Sequence, residues 1–268
     1  MSVKASIYRS YFWYFQHFPL QTGKSFIGRC LHKLLGRTVF NIRGLKFELA
    51  PDGFIDKYLL YTGEFDGEVL RLIKQSLKDG GTFVDVGANF GYYTVVAASM
   101  ENTKVIAFEP SPREAARLRK NMALNNLKNV TLYEVALSDK DEKLYLYLHG
   151  NENAGMNSLV SEDGADTKVP VECKRFDKLI NSQQLETCRL IKIDVEGFEF
   201  EVLKGMGDLL NGFSGKLLVE VNHHTDEERE RADRIYAYLE QKGFYATYGK
   251  ASSKHYNEVF YHAKNVEV

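Results

Sequence analysis

The stretch that decides the fold is TFVDVGANFGYYTVVAASMENTKVIAFEPS, residues 82–111. A β-branched run ending at Val86 is followed by a glycine turn, an apolar helical pattern and a second strand at 104–108. An acid, Glu109, closes this second strand. A strand, a glycine turn, a helix and a strand ending on a carboxylate form one βαβ unit, which binds nucleoside-like ligands over its strand ends.

The glycine spacing distinguishes between nucleoside cofactors. The dinucleotide fingerprint is G-x-G-x-x-G, whereas Gly87 and Gly91 are here separated by a turn that begins with Ala88 and Asn89. Asp85, just before the turn, would repel a phosphate but can hold an ammonium group. These features favour S-adenosylmethionine, which carries an ammonium and a sulfonium and no phosphate.

The acid on the second strand supports the same interpretation. Glu109 is positioned to accept hydrogen bonds from both ribose hydroxyls, and glycines in the turn allow close backbone approach to the ligand. The alternative is an ordinary strand–turn–helix connection, for which the glycine turn alone would be sufficient. The additional acid at the expected place favours the methyl donor.

Length and composition predict one large folded domain preceded by an arm. The chain has 268 residues, of which 44% are hydrophobic, enough for a sizeable core. We expect residues 1–50 to form the arm and residues 51–268 the main domain. Three scattered cysteines without C-x-x-C spacing indicate neither a zinc site nor a disulfide framework. No apolar run approaches the ~20 residues of a membrane span, no signal peptide is expected, and the expected location is cytoplasmic.

The arm is basic. Residues 1–47 hold eight Lys or Arg and no Asp or Glu, so the rest of the chain is acidic. Apolar residues recur at helical spacing between 26 and 35, with basic residues off that stripe. Such a helix either contacts an anionic membrane surface peripherally or covers the domain with its charges solvated. The second alternative is the commoner use of amphipathic helices and is preferred.

Strand and helix patterns alternate after residue 80, which predicts a mainly parallel sheet covered on both faces. The expected fold class is α/β: a doubly wound, Rossmann-like, seven-stranded sheet with an antiparallel C-terminal strand pair and an N-terminal helical and hairpin appendage. The hairpin is predicted at 39–49 and the later strands at 82–86, 104–108, 130–135, 144–148, 168–173, 190–194, 216–221, 244–248 and 258–262. Helices are predicted at 67–77, 92–100, 111–125, 198–210 and 225–243, with a short mixed segment at 54–62.

A second constellation follows the strand at 190–194. Asp194 should emerge beside the glycine turn, at the switch point of the sheet, and Glu196 follows two residues later. These carboxylates can orient the methionyl amine or accept a proton from a hydroxyl. His223 and His224, after the next strand, are further candidate bases. No metal is the preferred expectation, because the spacing matches no recognised metal motif; assistance by a metal bound to Asp194, Glu196 and a histidine is the second alternative.

Together these motifs resemble the FkbM family of S-adenosylmethionine-dependent methyltransferases. The resemblance rests on VDVGANFGYYT at 84–94, FEP at 108–110, ALSD at 136–139 and IDVEG at 193–197. It implies a class I methyltransferase domain over residues 51–268 and O-methylation of sugar or natural-product hydroxyls. A further matching segment is YTGE at 61–64. The matching segments add Glu64, Pro110 and Ala136 to the cofactor-binding residues derived above, and Ser111, which follows FEP, is expected to belong to them as well.

The expected acceptor is therefore a hydroxyl of a glycan, a glycolipid or another natural product. The polar loop 150–168 is a candidate for binding it, or is simply a flexible connection. Nucleic acid is not an expected partner, because the core is acidic and the strand at 190–194 does not end in an N-P-P-Y-like turn. The alternatives are a non-catalytic cofactor-binding scaffold at a membrane and an N-methyltransferase of a small-molecule amine.

Overall fold

A computed structural model of the chain describes residues 3, 4, 6–8, 10, 11, 30, 34, 36–50, 53–149, 157–160, 165–247 and 257–263. The predicted basic helix of the arm and most of the polar loop 150–168 lie outside these residues. Within the described part of the chain, no helix combines the length and apolar content needed to cross a membrane.

The central element of the fold is a seven-stranded sheet. The described strands are, in chain order, β1 (Thr38–Ile42), β2 (Leu45–Leu49), β3 (Gly81–Val86), β4 (Thr103–Phe108), β5 (Val130–Tyr133), β6 (Ala136–Leu137), β7 (Glu142–Leu148), β8 (Thr167–Lys174), β9 (Cys188–Ile193), β10 (Lys216–Glu220), β11 (Phe244–Ala246) and β12 (Asn257–His262). The sheet has the order β5-β4-β3-β9-β10-β12-β11, and β1–β2 and β6-β8-β7 form two smaller sheets. Neighbours are parallel from β5 to β10, and β12 is antiparallel to both of its neighbours. The expected doubly wound sheet with an antiparallel C-terminal pair is confirmed.

Helices cover both faces of this sheet. They are α1 (Phe54–Thr62), α2 (Gly67–Ser76), α3 (Tyr92–Ala98), α4 (Pro112–Leu124), α5 (Phe176–Leu179), α6 (Ser182–Leu185), α7 (Glu199–Met206) and α8 (Asp226–Gln241), with a 3₁₀ helix at Gly207–Gly212. Alternate side chains of β3 lie on opposite faces of the sheet. Val84 and Val86 belong to the hydrophobic cluster that includes residues of α7 and α8, whereas Phe83 belongs to the cluster that includes residues of α2 and α3. Asp85 therefore shares the face of Phe83.

The predicted helix starts agree with their local signals. Ser111 accepts a hydrogen bond from the backbone N–H of Glu114, and Pro112 occupies the first turn of α4. Thr225 and Glu228 form a complete capping box at the start of α8. These caps are local in sequence, which explains why the pattern alone predicts them.

Two predicted elements were wrong. The mixed segment at 54–62 is the helix α1, held by a buried ion pair in which Arg117 of α4 lies 2.6 Å from Asp56. The helix predicted at 198–210 ends as an α-helix at Met206, because Gly207 has a φ of +55° and begins the 3₁₀ turn. In both cases the helix was determined by a feature that the hydrophobic periodicity does not report: a contact with a distant residue for α1, and a backbone angle for α7.

The N-terminal hairpin packs directly on the main domain. Asn121 of α4 accepts a hydrogen bond of 2.8 Å from the backbone N–H of Glu48 and donates one of 2.8 Å to the carbonyl of Phe90. Phe47 is fully buried in a cluster shared with Phe90 and Tyr92. The predicted hairpin at 39–49 is confirmed, and it supports the segment that follows the glycine turn. The domain boundary at residue 50 stays a prediction.

Candidate active site

A cavity of about 460 Å³ opens over the carboxyl ends of the parallel strands. Its wall is formed by the segments that leave β3, β4 and β9, by the end of β10, and by residues of the α1–α2 region. This is the edge at which doubly wound sheets bind their ligands. The predicted site residues that line it are Gly87, Ala88, Asn89, Glu109, Pro110, Ala136, Asp194 and Glu196.

The glycine turn forms the centre of the wall. Gly87 has a φ of +78°, and a Cβ built on it would lie 1.9 Å from the carbonyl oxygen of Asp194. The backbone N–H groups of Gly87 and Ala88 both donate to the carbonyl of Phe108, at 3.0 Å. Only glycine allows the turn to pack this closely against the end of β9, which confirms that Asp194 emerges beside it.

Glu109 is held by the backbone. Its two carboxylate oxygens accept hydrogen bonds from the N–H groups of Asn89, at 2.7 Å, and Ser111, at 2.8 Å. Burial raises the pKa of Glu109 to about 7, and these two hydrogen bonds oppose the shift by stabilising the ionised form. The result is a carboxylate on the cavity wall whose orientation is fixed by two backbone hydrogen bonds.

Asp85 lies behind the wall. It is fully buried and does not line the cavity. The hydroxyl of Thr94 donates to its Oδ2 at 2.6 Å, whereas its Oδ1 has no hydrogen-bond partner among the described residues. Burial raises its pKa, and the neighbouring Lys192 opposes that shift. The structure therefore gives Asp85 no direct path to a ligand, and it acts on the cavity through Lys192.

Lys192 is a buried cation in the middle of the acidic groups. Its ammonium donates to Asp194 Oδ2 at 2.8 Å and lies 5.4 Å from the centre of the Tyr93 ring, and the residue is only 2% exposed. Burial lowers the pKa of Lys192, but Asp194 and Asp85 together raise it above its ordinary value. The side chain is therefore a fixed positive charge that lines the cavity.

Three carboxylates meet beside this cation. Oxygen atoms of Asp194, Glu196 and Glu220 lie within 4.8 Å of one another, a spacing that can hold a positive group. Burial and the charge of Asp194 raise the pKa of both Glu196 and Glu220. Glu196 has a φ of +56°, in the left-handed region that non-glycine residues rarely adopt.

The turn that carries Glu196 is held by Glu199. Its Oε1 accepts hydrogen bonds from the N–H groups of Val195 and Gly197, both at 3.0 Å. The hydroxyl of Ser158 also donates to the carbonyl of Glu196 at 2.8 Å. Glu199 is thus a support at the start of α7, whereas Val195, Glu196 and Phe198 line the cavity.

Two acceptor atoms at the far end of the cavity are unsatisfied. Glu220 and Asn257 are paired across β10 and β12, and both line the cavity. The Oε2 atom of Glu220 and the Oδ1 atom of Asn257 are buried without a hydrogen-bond partner among the described residues. The amide orientation of Asn257 is set by its Nδ2, which donates to Asp66 at 3.3 Å. Buried acceptors of this kind require a donor, which a bound ligand can supply.

Five further predicted residues also do not line the cavity. Glu64 pairs with Arg43, and Gly91 packs against Leu118 where α3 begins. Ser111 caps α4 and contributes only its backbone N–H to Glu109. The candidate bases after β10 are directed elsewhere: the His223 ring stacks 6.4 Å from Tyr236, and the N–H of His224 donates to Glu228.

Sequence reasoning missed Lys192 and Glu220. Lys192 is the one charge in the apolar run LIKI at 190–193, and Glu220 is the charge that follows the apolar run LLV in KLLVE at 216–220. A charge inside a buried strand of a parallel sheet is costly unless it is paired. That interruption of the apolar pattern was the available sign of a site at this edge.

The sequence of the chain is similar to those of known proteins. The methyltransferase FkbM domain matches residues 85–245, more than half of the chain. The methyltransferase sdnD of Sordaria araneosa is 31% identical over 198 residues, which are 63% of this chain and 75% of that protein. The hexuronic acid methyltransferase AglP of Haloferax volcanii is 29% identical over 59% of this chain and 63% of its own length. The 2-O-methyltransferase NoeI of Sinorhizobium fredii is 29% identical over 48% of this chain and 58% of its own length. The chain therefore belongs to the FkbM methyltransferase family.

Proposed function

We propose that the chain is an O-methyltransferase that uses S-adenosylmethionine and acts on a hydroxyl of a glycan or a related natural product. The observation that supports the proposal is that one cavity has two sets of acidic groups, which lie on opposite sides of the glycine turn. Glu109 lies on the β4 side of that turn, and the carboxylates of Asp194, Glu196 and Glu220 lie on the β9–β10 side.

The residues on the β4 side fit the nucleoside of the donor. Glu109 presents a carboxylate for the ribose hydroxyls, and Pro110, Phe108 and Ala136 offer apolar surface for the base. The carboxylate of Asp194, which accepts a hydrogen bond of 2.8 Å from Lys192, is suited to the methionyl ammonium. When bound, the donor supplies an electrophilic methyl group, and its transfer to an alcohol releases one proton.

The residues on the β9–β10 side fit the acceptor hydroxyl. Glu220 and Glu196 have raised pKa values because they are buried near Asp194, so each is a stronger base when ionised than a solvated carboxylate. We assign the carboxylate of Glu220, in its ionised form, as the group that receives the hydroxyl's proton, since Glu220 lines the cavity beside Asp194 and Glu196. Two relatives are named as a hexuronic acid methyltransferase and a 2-O-methyltransferase, which supports an oxygen acceptor on a sugar.

Calorimetric titration tests the donor half of this proposal. S-adenosylhomocysteine should bind the wild-type protein, and Glu109→Gln should weaken binding about 10- to 100-fold, because hydrogen bonds to a charged group contribute about 1.5–3 kcal/mol. Glu101→Gln, an exposed change in the turn before β4, is the matched control. Equal affinity of the Glu109→Gln and wild-type proteins would refute the assignment of the ribose-binding acid.

Transfer of an isotopically labelled methyl group tests the reaction itself. Label from S-adenosylmethionine should appear as a base-stable methyl ether on a hydroxylated acceptor fraction of glycans or lipids. Label that is instead recovered on nitrogen would contradict O-methylation. Saturable binding of the donor without turnover on any fraction would favour a scaffold.

A further inference from the structure

An exposed aromatic corner stands at the mouth of the cavity. Phe54 and Tyr58 of α1 are 60% and 48% exposed, and both contact Phe65 with rings nearly perpendicular, at 6.4 and 5.8 Å between centroids. Phe54 and Phe65 also line the cavity, so the corner is continuous with the site. Exposed aromatic patches joined to a cavity mark ligand surfaces.

This corner belongs to the acceptor half of the cavity. Asp66, which follows Phe65, receives a hydrogen bond from Asn257 on β12, and Asn257 is paired with Glu220 on β10. The sheet order places β10 and β12 on the opposite side of β3 from β4, which carries Glu109. A ligand at the corner therefore reaches the carboxylate cluster without crossing the nucleoside-binding side.

The polar groups in this half are short of donors. Glu220 Oε2 and Asn257 Oδ1 are buried acceptors without partners among the described residues. The charged side chains that line the whole cavity, within the described part of the chain, are one cation and six acids: Lys192, Asp66, Glu109, Glu114, Asp194, Glu196 and Glu220. The cation is already bonded to Asp194. Acids outnumber cations among these residues, so a negative charge on a ligand here would be repelled.

We propose that this half of the site binds a neutral or positively charged sugar ring and rejects acid sugars. The inference rests on the proposed function and narrows its acceptor. The polarised C–H face of a sugar packs against the electron-rich faces of Phe54 and Tyr58, as other positive edges do on aromatic rings. Its vicinal hydroxyls donate to Glu220 and Asn257. An alkyl chain would pack against the aromatic rings but would donate no hydrogen bond to these acceptors. A uronic acid would place its carboxylate beside those of Asp194, Glu196 and Glu220.

The proposed preference for a neutral or positively charged sugar differs from the specificity that one relative's name states, since that relative is the hexuronic acid methyltransferase of Haloferax volcanii. Matched sugars test it directly. The methyl glycosides of glucose, galactose and mannose are titrated against the protein with S-adenosylhomocysteine present, each beside its uronic acid counterpart, with binding followed by saturation-transfer NMR. At least one neutral glycoside should bind, and its uronate should bind at least ~10-fold more weakly.

Aromatic variants locate the binding. Phe54→Ala and Tyr58→Ala should each weaken binding of the neutral glycoside about 2- to 10-fold, the range of an aromatic contact of about 0.5–1.5 kcal/mol. Tyr245→Ala removes an equally exposed ring from β11, outside the cavity, and should change nothing. Both positions on α1 are exposed, so their truncation leaves the core intact, and unchanged affinity for S-adenosylhomocysteine verifies the fold.

The outcomes separate this inference from the proposed function. If S-adenosylhomocysteine binds but no neutral glycoside does, if the uronate binds equally well, or if the Phe54 and Tyr58 variants bind as the wild type does, the sugar site is refuted and methyl transfer stands. Displacement of the sugars by decanol as the tighter ligand would also refute it, in favour of an alkyl acceptor. If the wild-type protein does not bind S-adenosylhomocysteine, the proposed donor is refuted. The sugar titration is then repeated without S-adenosylhomocysteine, and its result still decides the sugar site.

Discussion

Lys192→Met removes the one cation that lines the described cavity, which pairs with Asp194 at 2.8 Å and acts electrostatically on Asp85. Methionine has a similar length and volume, so the packing of β9 is largely kept. Asp194 has a side chain that is 32% exposed and can turn toward solvent. Asp85 is fully buried and cannot, so the cost of the substitution falls mainly on Asp85.

The expected loss follows from this uncompensated charge. Removing one partner of a buried ion pair costs about 3–5 kcal/mol, a large fraction of the ~5–15 kcal/mol that stabilises an ordinary domain. Burial already raises the pKa of Asp85, and Lys192 opposes the shift, so the variant should raise that pKa further. A carboxyl group with a raised pKa in the folded state binds more protons there than in the unfolded state. Its stability contribution therefore falls as the pH rises from the unfolded value of about 4.

Urea unfolding at pH 5 and pH 8 measures both effects. The free energy of unfolding of Lys192→Met should be lower than that of the wild type at both values, and the deficit should be larger at pH 8. Adding Asp85→Asn to this variant removes the orphaned charge and should recover at least half of the loss. A deficit below about 0.5 kcal/mol, the range of ordinary surface substitutions, or one larger at pH 5, would refute the role of Lys192 as counter-ion to Asp85.

Three further predictions concern the turn, the base and α1. Gly87→Ala should destabilise the protein by about 2 kcal/mol or more and abolish S-adenosylhomocysteine binding, because its Cβ meets the Asp194 carbonyl at 1.9 Å. Gly44→Ala is the control: it also lies at positive φ but has open space around it, so it shows the effect of backbone strain without the clash. Glu220→Gln should lower kcat by roughly 100-fold or more, and a larger loss in His223→Ala would instead favour the histidine as base. Asp56→Ala should cost about 3–5 kcal/mol by leaving Arg117 buried without one of its partners; in thermal unfolding, a loss no greater than that of the exposed variant Asp226→Ala would contradict this.

Much of the site could be predicted because it is local in sequence. The glycine turn, the acid that ends β4 and the caps of α4 and α8 each depend on residues within a few positions of one another. The resulting predictions of a βαβ unit, of Glu109 on the wall and of Asp194 beside Gly87 agree with the structure. The cofactor itself stays a proposal.

The rest depended on contacts between distant segments. α1 was read as a mixed segment because the Arg117–Asp56 pair that holds it joins residues 61 positions apart. The histidines were candidate bases because they follow β10, but neither lines the cavity: the His223 ring stacks on Tyr236, and the backbone N–H of His224 donates to Glu228. Side-chain direction at a strand end is decided by the neighbours on each face.

Asp85 and Glu220 show most clearly which features can be predicted from the sequence and which depend on the tertiary structure. That acids gather at the carboxyl edge of the sheet follows from the sequence, because strand length and turn chemistry depend on residues within short segments. That Asp85 is buried behind the wall near Lys192, while Glu220 lines the cavity beside Asn257, follows from the assembled fold. Strand order and the alternation of side chains across a sheet bring these groups together, and both are properties of the assembled sheet.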